Sequence, residues 1–117
     1  MKIINRTQFL ALPAGTVYCE FRPHHFDAFM VKGVKMGNDF EEIPLTDQMK
    51  LAEDEQWVDK ILEVMDGAEA QMDFDSSSRN GFFDADALFA VWDMADIRGL
   101  IDKLSGCLES SAYKAPV

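Results

Sequence analysis

The sequence predicts an α+β domain: a mostly antiparallel sheet of about five strands, with a middle helix and a C-terminal helix packed on it. Three observations lead there. Short runs alternate apolar and polar residues, as at 16–22 and 69–75. Helical periodicity is confined to two longer stretches, 53–66 and 94–108. The resulting order, α-β-β-β-α-β-β-α, does not alternate singly, which argues against a doubly wound parallel sheet. The 117 residues suit one domain, 1–117. A hydrophobic content of 48% is enough for a packed core, so wholesale disorder is not expected.

Thr7–Leu12 reads as one or two helical turns, N-capped by Thr7 and stopped by Pro13. Residues 16–22 place Val17, Cys19 and Phe21 on one face and Tyr18, Glu20 and Arg22 on the other, a strand buried on one side. Pro23 to Phe26 breaks it. Extended character resumes over Asp27–Met36, with Gly33 marking a bulge. Gly37-Asn38-Asp39 is a turn, and Phe40–Thr46 a short strand that Pro44 places at an edge.

In the middle helix, Trp57, Val58, Ile61, Leu62 and Met65 share one face. Glu55, Asp59, Glu63 and Asp66 share the opposite one, and Gly67 is a natural residue to end the helix. Carboxylates near that end oppose the helix dipole, which hints at another use for the charge. Glu69–Asp75 alternates with Ala70, Met72 and Phe74 inward, and Asn80-Gly81 is the strongest turn signal. Ala87–Trp92 is apolar on both faces, hence an interior strand. Asp93 with Asp96 forms an acidic capping box for a helix whose stripe is Ile97, Leu100, Ile101, Leu104 and Leu108. Gly99 within that helix would permit close approach to the sheet. Trp57 and Trp92 fall on apolar patterns and are assigned to the core, and residues 109–117 form a frayed polar tail.

Charge narrows the functional classes. The formal net charge is −10, which argues against direct binding to nucleic-acid phosphate or an anionic membrane. It is also regional. Residues 1–37 hold five basic and two acidic residues, net +3, whereas Asp39–Asp75 holds 13 acidic residues against Lys50 and Lys60, net −11. No signal-peptide pattern and no membrane-spanning run is visible, so a cytoplasmic location is expected, with Cys19 and Cys107 as free, buried thiols.

Two stretches resemble small proteins encoded by tailed phages and prophages: Phe9-Leu-Ala-Leu-Pro-Ala-Gly-Thr-Val-Tyr18, and Asp73-Phe-Asp-Ser-Ser-Ser-Arg-Asn-Gly-Phe-Phe-Asp-Ala-Asp-Ala-Leu-Phe-Ala-Val-Trp92 with the helix after it. Together they cover about half the chain. Both are turn-plus-core patterns rather than catalytic signatures. The resemblance implies a phage-type origin and no defined activity.

Candidate chemistry is sparse. Asp73-x-Asp75-x-Ser77 with Asp84 twelfth imitates a calcium loop, but Ser78 stands where that loop needs glycine. A divalent site of another kind would use Asp73, Asp75, Asp84 and Asp86. His24 and His25 near Cys19 lack a fourth ligand for zinc. Nucleophile elbows and glycine-rich phosphate loops are absent, and no cofactor is implied. Phe82-Phe83 either tips the Asn80-Gly81 turn or folds over the sheet.

The expectation is therefore a non-enzymatic, phage-type accessory protein that binds a protein partner. Its sharper form is an acidic decoy, with Glu55, Asp59, Glu63 and Asp66 occupying the basic groove of a nucleic-acid-binding protein. The bland reading of the same stripe is a solvated face that maintains solubility. Two alternatives stand: a small metal-dependent protein or enzyme using His24, His25 or the Asp73–Asp86 carboxylates, and a module that self-associates through its basic and acidic parts.

Overall fold

The computed structural model describes residues 1–23, 25–81 and 84–114. The chain runs β1 (Lys2–Asn5), α1 (Arg6–Leu10), β2 (Val17–Arg22), β3 (His25–Phe26), β4 (Met30–Met36), β5 (Asp39–Pro44), α2 (Trp57–Met65), β6 (Ser78–Arg79), β7 (Leu88–Val91) and α3 (Met94–Leu108). One sheet contains all seven strands in the order β1-β7-β2-β4-β5-β6, with β3 paired to the end of β2. Each pairing is antiparallel, so the architecture is α+β.

Tyr18 and Phe89 organise the core. α1 lays Phe9 on the sheet, where its ring stacks on Phe89 (4.1 Å between centroids) and tilts against Tyr18 (4.6 Å) and Phe40 (5.0 Å). All four rings are inaccessible to solvent, and Val91 completes the cluster. α1 is five residues long and too short to persist by propensity. A capping box between Asn5 and Gln8 holds its start. Its end is held by Lys32, 1% exposed, whose Nζ donates to the carbonyls of Leu10 and Leu12. Burial lowers the Lys32 pKa, and Lys35 adds to that.

The far face carries the next layer. Trp92 tilts against Phe29 (4.6 Å), Cys19 is buried, and α3 turns Ile97 and Leu100 toward Val17, Phe29 and Leu45. Asp93 and Asp96 form the reciprocal capping box that starts α3.

β4 and β5 shift register between Lys32 and Lys35, so the bulge falls at Gly33. A Cβ there would lie 2.2 Å from Glu41 Oε1 and 2.8 Å from Glu41 Cβ. Glycine is what lets Glu41 cross the bulge.

Several expectations need correction. The sheet has seven strands rather than about five, because β1 and the two-residue β3 and β6 carry no periodic signal. β2 is covered on both faces: Tyr18, expected outward, is fully buried, and its hydroxyl is satisfied by Glu42. β5 is not an edge strand in the sheet order, although β6 covers only Glu41 and Glu42, leaving Pro44 beyond the pairing. Residues 69–75 form no strand. They contribute the single bridge Met49–Met72, and Met72 and Phe74 are exposed. The N-cap of α1 is Asn5, not Thr7. Gly99 faces open space rather than the sheet. Trp57 and Cys107 are exposed. Residues 109–114 continue from α3 as hydrogen-bonded turns.

Candidate functional site

Residues 45–77 leave the sheet after β5 and return at β6, which pairs back onto β5. Hydrogen bonds from Lys50 N to Gln71 O and from Asp73 N to Gln48 O close the neck of this excursion beside the Met49–Met72 bridge. α2 sits beyond the neck and packs broadly on no other element among the described residues. The radius of gyration is 16.8 Å, above the roughly 13 Å of a compact domain of about 100 residues. The excursion holds ten carboxylates and two lysines, net −8 of the chain's −10.

The start of α2 differs from the sequence expectation of 53–66. Ala52 and Glu55 close a turn instead: Glu55 N donates to Ala52 O, and Ala52 N donates to Glu55 Oε1. Glu55 therefore lies ahead of the helix, with its carboxylate engaged in that turn. The end is as expected. Gly67 takes φ +103°, Gly67 N donates to Val64 O, and Ala68 N donates to Glu63 O, the pair of bonds that closes a Schellman motif.

Asp59, Glu63 and Asp66 remain as an exposed row on α2 and its cap. Neighbours in the row are about 5 Å apart along the axis. One DNA strand presents a charge about every 3.4 Å. The helix is exposed on much of its apolar side too: Val58 at 62%, Leu62 at 56% and Met65 at 77%. Helical geometry places these three at i, i+4 and i+7 and the carboxylates at i+1, i+5 and i+8, about 100° round the helix, so the two rows flank each other rather than lying on opposite faces. Ile61 and Val64 are half-buried. Only part of the predicted apolar face is covered.

A second cluster escaped the sequence reading. On the α1 side of the sheet the Tyr18 hydroxyl donates to Glu42 Oε2 (3.0 Å), and Asn80 Nδ2 donates to Glu20 Oε1 (3.1 Å) and Glu42 Oε2 (3.3 Å). Burial pushes the Glu42 carboxyl upward against those hydrogen bonds. Burial and the Glu42 charge also push the Tyr18 hydroxyl well above its ordinary value. Beside them Asp39, 1% exposed, accepts from the Phe40 and Gly81 amides and from Arg79 Nε. Burial opposes its charge, but these bonds outweigh it and hold the carboxyl below the ordinary carboxylate range. This cluster pins the 78–81 segment to β5. No motif announces it, because its members come from three separated stretches of chain.

The proposed metal ligands are not assembled. Asp73 accepts from the Ser76 hydroxyl and from the Asp75 and Ser76 amides, and Asp84 accepts from the Asp86 amide. Each aspartate caps its own loop. Among the described residues no group of three or more His, Cys, Asp or Glu is placed to hold a metal. Asp75 and Asp86 are exposed. His25 Nε2 faces Asp27 Oδ1 at 3.2 Å. His24, Phe82 and Phe83 lie outside the described residues.

Both cysteines are free. Burial raises the Cys19 thiol pKa, partly offset by a hydrogen bond with Trp92. Cys19 lines a cavity of about 330 Å³ with Met1, Phe26, Trp92 and Asp96, and the nearby Asp27 charge adds to the rise of its pKa. A larger groove of about 440 Å³ opens between α3 and the sheet, lined by Phe29, Leu45, Phe74, Ile97, Ile101 and Leu104 among others. None of the described helices is long and apolar enough to cross a membrane.

No protein-family model matches this chain, and neither the curated proteins nor the solved structures include a significantly similar one. The surfaces themselves carry the argument. The acidic excursion offers charge and shape for recognition, and among the described residues it gathers no group of three or more His, Cys, Asp or Glu placed for a metal.

Proposed function

We propose that this chain is a non-enzymatic accessory protein of phage type that binds a protein partner through the excursion at residues 45–77. The observation that carries the reading is the placement of α2. The sheet and α1 complete their aromatic core without it, yet it is amphipathic, closed at its C-terminus by Gly67, and packs broadly on no other element among the described residues. Charge concentrated there favours a partner with a basic surface.

The finer form of the reading is a decoy for a nucleic-acid-binding protein. Its support is the row Asp59, Glu63 and Asp66, with Glu55 removed because its carboxylate closes the preceding turn. The phage-type origin is supported by the sequence resemblance alone.

The test is a pull-down from nuclease-treated bacterial lysate with tagged protein, washed at low and high salt. A nucleic-acid-handling protein retained at low salt, lost at high salt, and lost with D59N/E63Q/D66N supports the decoy. Retention unchanged in that variant overturns the decoy. Failure to retain any specific protein overturns the binding reading itself.

A further inference from the structure

α2 presents two parallel ridges to solvent. One is apolar: Val58, Leu62 and Met65, each more than half exposed. The other is acidic: Asp59, Glu63 and Asp66. A solvated helix that served only solubility would have no use for the first ridge. A helix that only imitated a phosphate row would not need it either. Monomeric proteins scatter single exposed apolar residues, whereas three in register along one helix form a continuous strip.

From this we infer that α2 docks lengthwise into an apolar groove of a partner protein, whose rim carries Lys or Arg on the side that meets Asp59, Glu63 and Asp66. The inference rests on the protein-binding reading and names the recognition mode and the partner's surface. Val58, Leu62 and Met65 take the i, i+4 and i+7 anchor positions of helix-in-groove recognition. The acidic ridge fixes the rotation of the helix in the groove and steers approach, while the apolar ridge supplies most of the affinity.

Charge decides against two other occupants. An anionic membrane would repel the carboxylates that lie beside the apolar ridge. A second copy brings another −10, and its own α2 would set one carboxylate row near another. A basic-rimmed protein groove satisfies both ridges at once.

The test is site-specific photo-cross-linking of the full chain in bacterial cells. p-Benzoylphenylalanine is placed at position 58, at position 65 and, as a control on α1, at position 7. The expected result is one protein cross-linked from 58 and 65 but not from 7, with the linked peptides mapping to an apolar groove bordered by Lys or Arg. With that protein purified, V58S/L62S/M65S weakens binding about 100-fold or more at both low and high salt. D59N/E63Q/D66N weakens it chiefly at low salt. Unchanged circular dichroism and melting temperature show that the variants remain folded.

Cross-links to a second copy or to lipid overturn the inference. Cross-links to a protein from position 7 alone overturn it while leaving the protein-binding reading standing. No protein cross-link from any of the three positions overturns both.

Discussion

Removing the Phe9 ring tests the account of the core most directly. Phe9 is fully buried, is the only large apolar side chain that α1 buries completely, and touches the rings of Tyr18, Phe40 and Phe89 together. Phe→Ala at such a site costs about 3–5 kcal/mol in transfer and cavity terms. The stacked ring pair brings the expectation to the upper part of that range, because aromatic contacts add about 0.5–1.5 kcal/mol beyond area. Domains of this kind have about 5–15 kcal/mol in all. The loss of about 4 kcal/mol corresponds to a fall in melting temperature of about 15–20 °C for a chain of this length. The assay is urea denaturation followed by tryptophan fluorescence, with the midpoint compared at constant slope. Phe9→Leu keeps most of the volume and remains measurable if Phe9→Ala does not fold. Phe74→Ala is the control, since Phe74 is 58% exposed and should change stability by no more than about 0.5 kcal/mol. A Phe9→Ala cost below about 1.5 kcal/mol, or one matching Phe74→Ala, refutes the claim that α1 and the sheet are joined through this ring.

Three further outcomes follow from the same structure. Gly33→Ala should cost about 1–3 kcal/mol because the new Cβ meets Glu41 Cβ at 2.8 Å, and Glu41→Gly in the same chain should recover most of the loss in a double-mutant cycle. Asp39 has a folded pKa below its unfolded one, so its contribution is present above about pH 4 and is lost as pH falls through the folded value. Asp39→Asn should therefore be less stable at pH 7 and show a shallower acid limb in pH-dependent melting. Glu42 runs the other way, its raised pKa favouring the fold at low pH and losing that contribution as pH rises through the folded value, so Glu42→Gln should remove this opposing decline and steepen the net rise of stability with pH. With Ellman's reagent, exposed Cys107 should react at once and buried Cys19 only on unfolding; two fast thiols would contradict the placement of Cys19 under Trp92.

Much of the sheet was legible because alternation and turn chemistry agree there. The bulge at Gly33, the Gly67 helix end, the Asp93–Asp96 capping box and the interior position of residues 88–91 all follow from local rules. β1, β3 and β6 were invisible because strands of two to four residues show too little periodicity, and their pairing is decided by distant partners. Residues 69–75 alternate as well as any strand, yet alternation specifies a strand only where a neighbour offers a ladder. Here only Met72 finds one. The polar cluster of Glu20, Asp39, Glu42 and Asn80 was hidden for the same reason: its bonds connect residues far apart in sequence. Of the four predicted binding carboxylates, Glu55 alone left the row, because a turn at Ala52–Glu55 replaces the first helical turn.

The middle helix shows where periodicity stops being informative. An amphipathic pattern identifies a helix and its apolar side, but it does not say what covers that side. In α3, Ile97 and Leu100 are half-buried along the groove they share with Val17, Phe29 and Leu45, and Ile101, Leu104 and Leu108 are exposed. In α2 the same pattern is exposed at Val58, Leu62 and Met65, so those residues contribute little to folding. Their substitution by serine should shift stability by no more than about 0.5 kcal/mol, as at any exposed site. A loss of several kcal/mol in V58S/L62S/M65S would instead place α2 against the body of the protein in solution and remove the free ridge on which partner recognition depends. Stability retained with binding abolished separates the two roles of an amphipathic pattern, since a folding contribution and a recognition contribution then fall on different residues of the same chain.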